Sequence, residues 1–381
     1  KNQIGRINMA QPKDFGYGEE QEMLKDSARR FMEDKQPLLA LRESIKGTED
    51  PYFGKNRTGS YDKAAWNEMV GLGWTALAVP EEAGGVGMNL VTAIAVSEEV
   101  GRASMPTPLT STLQSTFALR EAGTDSAMSW LSKIAEGTSM TLAIYGKEGS
   151  LDADSTDITV NDGKLNGTSW YVQDPQKIDS LLVSAMDGKT VKLYCVDLKA
   201  EGVDLEFDRI VDLTRDQGHV NFNNVAAECV SEDGASTLKK AMPALLTLIS
   251  ADMAGGCEWL LQTTADYAKV RSQFDRPIGF FQAVKHPIVN MMILGDQTRS
   301  LVYAAACSYD TEPGDSHKAA HLAKSSASDT AEFCANRATQ LHGGIGFTWE
   351  HDVQIYHKRV MHSQQLFGDG VWQRKQAAAY F

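Results

Sequence analysis

The segment YAKVRSQFDRPIGFFQ, residues Tyr267–Gln282, decides how the rest of the chain is interpreted. It ends a long helical pattern and closes with the turn signal DRPIG before Phe280. Arg271 and Phe274 are three residues apart and share a helix face, and Gln282 follows the turn. These side chains suit a flat, phosphorylated ligand, because arginine binds phosphate oxygens bidentately and aromatic rings pack against heterocycles. From spacing alone, an ordinary helix end with surface cations and a buried phenylalanine is the favoured interpretation.

A second motif changes that interpretation. The first segment, extended to YAKVRSQFDRPIGFFQAVKH, resembles the stretch of acyl-CoA dehydrogenases that reads Y-A-x-x-R-x-Q-F-G-R-P-I-x-x-F-Q-A-x-K-H. The second, QLHGGIGFTWEHDVQIYHKR at Gln340–Arg359, is similar to that family's Q-x-x-G-G-x-G-F motif, and the two occur in the family's order. The start DFGYGEEQEMLKDSARRF and the later pattern L-F-G-D look most like a bacterial subgroup of the family. That subgroup includes paired, unlike subunits that shorten steroid side chains.

The resemblance implies FAD as the cofactor, bound largely across a subunit boundary. The residues that would contact its pyrophosphate and ring edges are Arg271, Phe274 and Gln282. Those that would approach its ADP half are Gln340, Gly343 and Gly344, the glycines because no side chain fits beside the phosphates. The resemblance also implies an acyl-CoA thioester as substrate and an acceptor similar to electron-transfer flavoprotein. The assembly it implies is a homo- or hetero-oligomer arranged as a dimer of dimers.

Three departures from the family pattern concern the flavin. The family's Gly after the Phe is Asp275, and an acid near a pyrophosphate is unfavourable unless it points away or pairs with Arg276. Residues Tyr145–Asp152 read YGKEGSLD where many members have T-E-P-x-x-G-S-D, which supplies backbone and hydroxyl contacts to the flavin and the acyl group. The usual W-I-T triplet is Tyr171-Val172-Gln173. The flavin face that this subunit supplies is therefore altered.

The implied chemistry is removal of two hydrogens from Cα and Cβ of the thioester. A carboxylate takes the α-proton while the flavin accepts the β-hydrogen. The family places that carboxylate, a Glu, at one of two positions, which fall here on Phe367 and near Leu246-Thr247. The nearest carboxylates are Asp369, two residues after Phe367, and Asp252 on the other helix. Asp369 fits either a base in a rearranged turn or an ordinary helix cap.

The leading hypothesis is therefore a subunit of a hetero-oligomeric acyl-CoA dehydrogenase whose partner supplies the carboxylate. Its substrate class includes bulky, steroid side-chain-like acyl groups. A homo-oligomer that uses Asp369 is the second enzymatic hypothesis. A different class is a binding or scaffold protein that kept the architecture and lost the redox site. The altered flavin loop and the missing Glu favour the scaffold, whereas the intact FAD motifs oppose it.

Composition limits the classes of partner that the protein can bind and the compartment in which it is expected. The formal charge of -13 and the pI near 5.1 argue against a nucleic-acid partner, whose phosphates would be repelled. The five cysteines have no paired short spacing, and the histidines form no ligand set with a matching acid. The sequence thus predicts reduced thiols and no metal site. We expect a cytoplasmic protein with no membrane span, because no apolar run approaches membrane length and no signal peptide is present.

Hydrophobic patterning predicts an α+β fold in three parts. These are an N-terminal helical domain at 15–137, a central antiparallel β-barrel or sandwich at 138–235, and a C-terminal four-helix bundle at 236–381 that carries the FAD motifs. In the bundle, helices are predicted at 237–272, 283–310, 315–341 and 350–365. The first helix of the chain has an apolar stripe formed by Met23, Leu24, Ser27, Ala28 and Phe31. Residues 47–60 are predicted to be a loop.

One glycine-rich stretch resembles a phosphate cradle. Gly84, Gly85 and Gly87 lie in the segment VPEEAGGVGMNLV. No strand-then-helix dinucleotide context surrounds them, so a loop before the helix at Leu90 is the favoured interpretation.

Overall fold

The computed structural model describes residues 14–35, 37–46 and 61–381, so the predicted loop at 47–60 lies outside the described residues. The described part begins with helices, continues with a sheet and ends with helices, which confirms the predicted α+β class. The helices of the first part are α1 (Glu19–Lys35), α2 (Leu38–Lys46), α3 (Lys63–Gly71), α4 (Leu90–Arg102), α5 (Leu109–Ala122) and α6 (Asp125–Ala135). The glycine-rich stretch before α4 is a loop with a short 3-10 turn at Glu81–Ala83.

The central part is one mixed sheet. Its strands are β1 (Met140–Ala143), β2 (Ile158–Asn161), β3 (Lys164–Gln173), β4 (Ser180–Asp187), β5 (Thr190–Asp197), β6 (Val203–Phe207), β7 (Gln217–Ala226) and β8 (Glu228–Ser231). The order is β6-β7-β3-β2-β4-β5-β8, with β1 on β4. Most pairs are antiparallel as predicted, but β1 and β2 each run parallel to β4. The structure corrects the antiparallel prediction at these two pairs, because alternation of side chains is the same in both kinds of pair.

The last part is helical and contains one short hairpin. Its elements are α7 (Gly234–Val270), β9 (Ser272–Gln273), β10 (Arg276–Pro277), α8 (Gln282–Thr311), α9 (Ser316–His342), α10 (Val353–Gln365) and α11 (Gly370–Ala378). The four predicted helices match α7, α8, α9 and α10 to within three residues at each end. The structure changes from helix to strand between Ala135 and Met140, and back between Ser231 and Gly234. The three-domain division at 15–137, 138–235 and 236–381 stays a prediction.

The buried face of α1 differs from the predicted apolar stripe. The side chains it buries are Gln21, Lys25, Ala28 and Met32, whereas Met23 is 72% exposed. Lys25 is buried because its Nζ lies 2.7 Å from Oε2 of Glu98 on α4, and a buried charge needs such a partner. Of the predicted stripe, Ala28 is buried and Leu24 and Phe31 pack against the core, whereas Met23 and Ser27 are exposed. The burial of Lys25 was not predicted, because its ion pair joins residues that are distant in sequence.

Helices α4 and α7 cross at very short range. A Cβ at Gly101 would lie 1.8 Å from the carbonyl oxygen of Asp252, and one at Gly255 would lie 1.8 Å from that of Glu98. Only glycine allows the two backbones to approach in this way. The crossing therefore fixes α4 against the middle of α7.

The same point on α7 carries a buried ion cluster. Asp252 Oδ2 lies 2.6 Å from Nη2 of Arg359 on α10, and Oδ1 lies 2.9 Å from Nη2 of Arg215, just before β7. Arg359 also donates to Thr214 Oγ1 at 2.8 Å. All three charged side chains are at most 7% exposed. The cluster thus joins the sheet to the bundle through a single carboxylate.

Helix α7 is long and apolar enough to cross a membrane by length and composition, with a mean hydropathy of 1.3 in its most apolar window. The expectation that no apolar run reaches this length was wrong. Within that window, 83% of the residues are buried inside the protein. Such burial is that of a core helix around which other helices pack.

We expect Asp252→Asn to lower the free energy of unfolding by about 3–5 kcal/mol, because the buried Arg359 loses its carboxylate partner and the buried Arg215 loses the nearer of its two. Urea unfolding followed by circular dichroism measures the change. The matched control is Asp266→Asn on the same helix, whose ion pair with Lys269 is exposed and should leave the midpoint unchanged. Equal midpoints for the two variants would contradict the role assigned to the cluster.

Candidate active site

A cavity of about 1260 Å³ lies where the sheet meets the bundle. Its wall is built from residues 149–153 with Tyr145 and Tyr171, from residues 209–212, from the first turns of α7, and from parts of α9, α10 and α11. Phe367 and Asp369, the residues at and beside the family's first carboxylate position, both lie on this wall. The structure therefore brings that predicted position to the wall of this open cavity.

The turn between α10 and α11 places an aromatic ring at this position. Phe367 has φ of 58° and Gly368 has φ of 88°, so two successive residues are left-handed. The Phe367 side chain is 7% exposed, and its ring centroid lies 6.2 Å from that of Tyr145. An apolar aromatic pair thus stands where the family would place a proton acceptor.

Asp369 is the N-cap of α11. Its carboxylate accepts a hydrogen bond from the Trp372 backbone N–H at 2.8 Å, and its backbone is extended, as expected of a cap. The helix N-terminus favours a negative charge at this place. Of the two predicted roles, the structure supplies direct geometry for the cap.

A buried lysine, which the sequence analysis missed, supports the same turn. Lys324 of α9 donates to the carbonyl of Gln364 at 2.9 Å and to that of Gly368 at 3.2 Å. A third hydrogen bond goes to Ser328 Oγ at 3.0 Å. Burial lowers the pKa of Lys324 to about 7, with an opposing contribution from Asp369. Hydrogen bonds from the amine therefore hold the backbone on both sides of Phe367.

The family's second carboxylate position is also without a free acid. Leu246 and Thr247 are at most 1% exposed, and neither lies on the cavity wall. Asp252 is held by Arg215 and Arg359 in the buried ion cluster. The Asp252 carboxylate is therefore engaged by two guanidinium groups and does not line the cavity.

His362 of α10 is a further polar residue of the wall that sequence reasoning did not single out. Its Nε2 lies 2.8 Å from Oε1 of Gln173 on β3. Burial lowers the pKa of His362 to about 4, with an opposing contribution from Asp212. The only sequence feature that pointed to this contact was Gln173, which stands in place of the Thr of the family's W-I-T triplet.

The residues predicted to contact the ring edges and pyrophosphate lie elsewhere, around the hairpin of β9 and β10. Phe274 and Asp275 form its tip with φ of 54° and 59°. Aspartate tolerates this left-handed conformation better than most residues. Phe274 is 86% exposed, and Arg271 and Gln282 are exposed as well. Arg276 lies over the ring of Phe280 at 4.3 Å and makes no ion pair with Asp275 in the described structure.

The two family motifs meet in the fold. The ring of Tyr267 stacks on that of His342 with centroids 4.4 Å apart, and His342 directly precedes Gly343. Gln340, Gly343 and Gly344 are exposed. No atom lies within 4 Å of a Cβ built at either glycine. The hairpin and the Gly343 turn therefore form one exposed surface, outside the cavity.

That surface presents groups of the kind that bind phosphate oxygens. It offers a cation at Arg271, amides at Gln282 and Gln340, and open backbone at Gly343 and Gly344. Phosphate oxygens favour guanidinium and amide donors, and glycine backbone permits close approach.

Family descriptions match most of the chain. Residues 18–138 match "Acyl-CoA dehydrogenase, N-terminal domain" and residues 232–380 match "Acyl-CoA dehydrogenase, C-terminal domain". The chain belongs to the acyl-CoA dehydrogenase family. Members of this family are flavin-dependent oxidoreductases, so the predicted enzyme class and the FAD cofactor are confirmed at the level of the family.

Individual relatives cover nearly the whole chain. Acyl-CoA dehydrogenase IpdE2 of Mycolicibacterium smegmatis is 29% identical over 353 residues, which are 92% of this chain and 95% of the relative. A variant of the steroid ACAD Tcur3481-Tcur3483 has a TM-score of 0.84 and 27% identity, and the match covers 95% of this chain and 98% of the other. Butyryl-CoA dehydrogenase from Megasphaera elsdenii has the same fold, with a TM-score of 0.84 and 22% identity over 95% of this chain and 98% of its own.

Among the residues described, no group of three or more His, Cys, Asp or Glu side chains is arranged to hold a metal ion. All five cysteines are free thiols.

We expect the stability of the protein to rise with pH between about 7 and 10.5 through Lys324. In that window the folded lysine, with its pKa lowered to about 7, binds fewer protons than the unfolded one at 10.5, so raising the pH favours the folded state. Lys324→Met should remove this part of the slope in urea unfolding measured across the window. Lys318→Met on the same helix retains Lys324 and should keep the wild-type slope. A Lys324→Met slope equal to that of the wild type would refute the assignment.

Proposed function

We propose that the chain is a subunit of a hetero-oligomeric acyl-CoA dehydrogenase in which the partner subunit supplies the catalytic carboxylate. The observation that carries the proposal is the absence of a free carboxylate at both family positions in the described structure. Phe367 fills the first position, Asp369 caps α11, and Asp252 is held by two arginines near the second. The reaction is the α,β-dehydrogenation of an acyl-CoA thioester to the 2-enoyl-CoA.

In this proposal FAD is held across a subunit boundary. Bound FAD supplies the acceptor for the β-hydrogen, removed as hydride. The residues of this chain that would hold it are Arg271, Phe274, Gln282, Gln340, Gly343 and Gly344. The exposure of Phe274 supports a boundary site, because an aromatic ring that is 86% exposed gains a packing surface when a second subunit covers it. None of the six lines the cavity, so cofactor contacts and cavity would come together only in an assembly. We infer a dimer of dimers.

The cavity would hold the acyl-CoA thioester beside the flavin ring. Its volume of about 1260 Å³ exceeds the usual range of about 300–1000 Å³ for small-molecule sites. That space suits a bulky acyl group, and the likeness to a steroid ACAD at 27% identity supports a steroid side-chain-like substrate. An acceptor similar to electron-transfer flavoprotein would reoxidise the cofactor. A cytoplasmic location belongs to the proposal and is supported by the five free thiols.

A second candidate is a binding or scaffold subunit without redox activity. The packing of Tyr145 on Phe367 favours it, because this pair occupies the position of the missing base. Purified protein separates the two candidates by colour. A yellow complex with flavin absorbance supports the dehydrogenase, whereas protein that stays colourless with FAD and its partner supports the scaffold.

We expect Arg271→Ala to weaken FAD retention, because a charged phosphate contact contributes about 1.5–3 kcal/mol. That energy corresponds to roughly 10- to 100-fold weaker binding. The ratio of flavin to protein absorbance in the purified oligomer measures the loss. Lys269→Ala, near the same end of α7, is the control and should retain flavin. Unchanged flavin content in Arg271→Ala would remove Arg271 from the site.

We expect Asp369→Asn to leave the activity of the complete oligomer within a few-fold of wild type. Asparagine retains the cap but cannot take a proton. Turnover of an acyl-CoA by the co-purified oligomer measures the effect. A loss of about 10²-fold or more, the usual cost of removing a general base, together with turnover by this chain alone, would make Asp369 the base and refute the partner hypothesis.

A further inference from the structure

A series of hydrogen bonds runs from Asp208 to His362, and two of its members, Gln217 and His362, line the cavity. Gln217 Nε2 donates to Asp208 Oδ2 at 2.9 Å. Gln173 Nε2 donates to Gln217 Oε1 at 2.9 Å and to the carbonyl of Tyr171 at 2.9 Å. Gln173 Oε1 lies 2.8 Å from Nε2 of His362. These hydrogen bonds join three separate segments of the fold: the segment leading into β7, strand β3 and helix α10.

Each acceptor in this series fixes the orientation of the next group. An ionised carboxylate only accepts, so Gln217 turns its NH₂ to Asp208 and its oxygen to Gln173. The Tyr171 carbonyl also only accepts, and together with Gln217 it takes both N–H groups of Gln173. The Gln173 oxygen therefore faces His362, whose Nε2 must carry the hydrogen. The network alone selects the tautomer.

A neutral imidazole with its hydrogen on Nε2 has a bare lone pair on Nδ1. In the described structure Nδ1 of His362 has no hydrogen-bond partner and is not fully buried. It is accessible, and the residue lines the cavity. Because burial lowers the pKa of His362 to about 4, the ring stays neutral at neutral pH.

We propose that Nδ1 of His362 accepts a hydrogen bond from an uncharged N–H or O–H group of the ligand in the cavity. A bare lone pair can only accept, so the ligand group that faces it must be a donor. Two ligand sources carry the required donor. A flavin ring has an imide N–H, and an acyl-CoA has the amide N–H and hydroxyl groups of its pantetheine arm. The choice between them rests on the proposed function, whereas the tautomer and the bare Nδ1 do not.

His362 is thus a specificity-determining residue that orients a ligand and takes no proton from it. Its position depends on Gln173, a residue of the strand and not of the helix that carries the histidine. If Gln173 is replaced by a side chain without an acceptor, the hydrogen of His362 is no longer confined to Nε2. If the new side chain has an acceptor, the hydrogen stays on Nε2.

The tautomer is tested by ¹⁵N NMR of the full-length protein, purified with its partner subunit where one co-purifies and labelled at its histidines. His362→Gln identifies the His362 signals by their loss. At pH 7 we expect a protonated-type Nε2 signal and an unprotonated-type Nδ1 signal. Gln173→Leu should produce a mixture of tautomers, and Gln173→Glu should restore a single one. A wild-type signal with hydrogen on Nδ1, or on both nitrogens, overturns the proposal without any variant.

Ligand acceptance is tested by adding FAD, butyryl-CoA and phenol separately to the same labelled protein. The His362 Nδ1 signal should move towards the protonated-type position with whichever probe supplies the donor. His357 on the same helix faces Thr339 and should not move. Movement with phenol alone supports this inference while counting against the proposed function. No movement with any of the three probes overturns the inference.

Discussion

The carboxylate of Asp252 is the point on which the arrangement of the chain depends. Within one turn of α7, Asp252 holds Arg215 from the sheet and Arg359 from α10, and its own carbonyl packs against Gly101 of α4. A buried charge is tolerable only with complete compensation, so these segments have little freedom to shift independently. The N-terminal helices, the sheet and the bundle are located relative to one another at this place.

The same interaction positions the cavity. Arg359 precedes His362 by three residues on α10, and Arg215 precedes Gln217 by two residues at the start of β7. Fixing the two arginines against α7 therefore fixes the histidine against the glutamine pair that orients it. The exposed surface around the hairpin is independent of this cluster. It is built from the Tyr267 and His342 rings at the far end of α7 and α9.

The sequence predicted those parts of the fold that depend on neighbouring residues. The long helices of the bundle were located to within three residues because periodicity over many turns is a strong signal. The parallel pairing of β1 and β2 with β4 was not predicted, since side-chain alternation carries no information on strand direction. The buried face of α1 was predicted only in part, because Lys25 is buried beside Glu98, a partner more than 70 residues away. The family motifs were recognised from sequence, but the contacts of Gln173 with His362 and of Lys324 with the Phe367 turn join distant segments and need the structure.

The left-handed backbone at Phe367 affects which substitutions this position can accept during evolution. A φ of 58° disfavours phenylalanine and glutamate by a similar amount, about 1–2 kcal/mol. Lys324 stabilises the turn by hydrogen bonds to the carbonyls of Gln364 and Gly368. These bonds do not involve the side chain at position 367. Exchange of side chains at this position therefore leaves the backbone scaffold in place. Descendants of such a chain retain a backbone that can present a carboxylate at position 367.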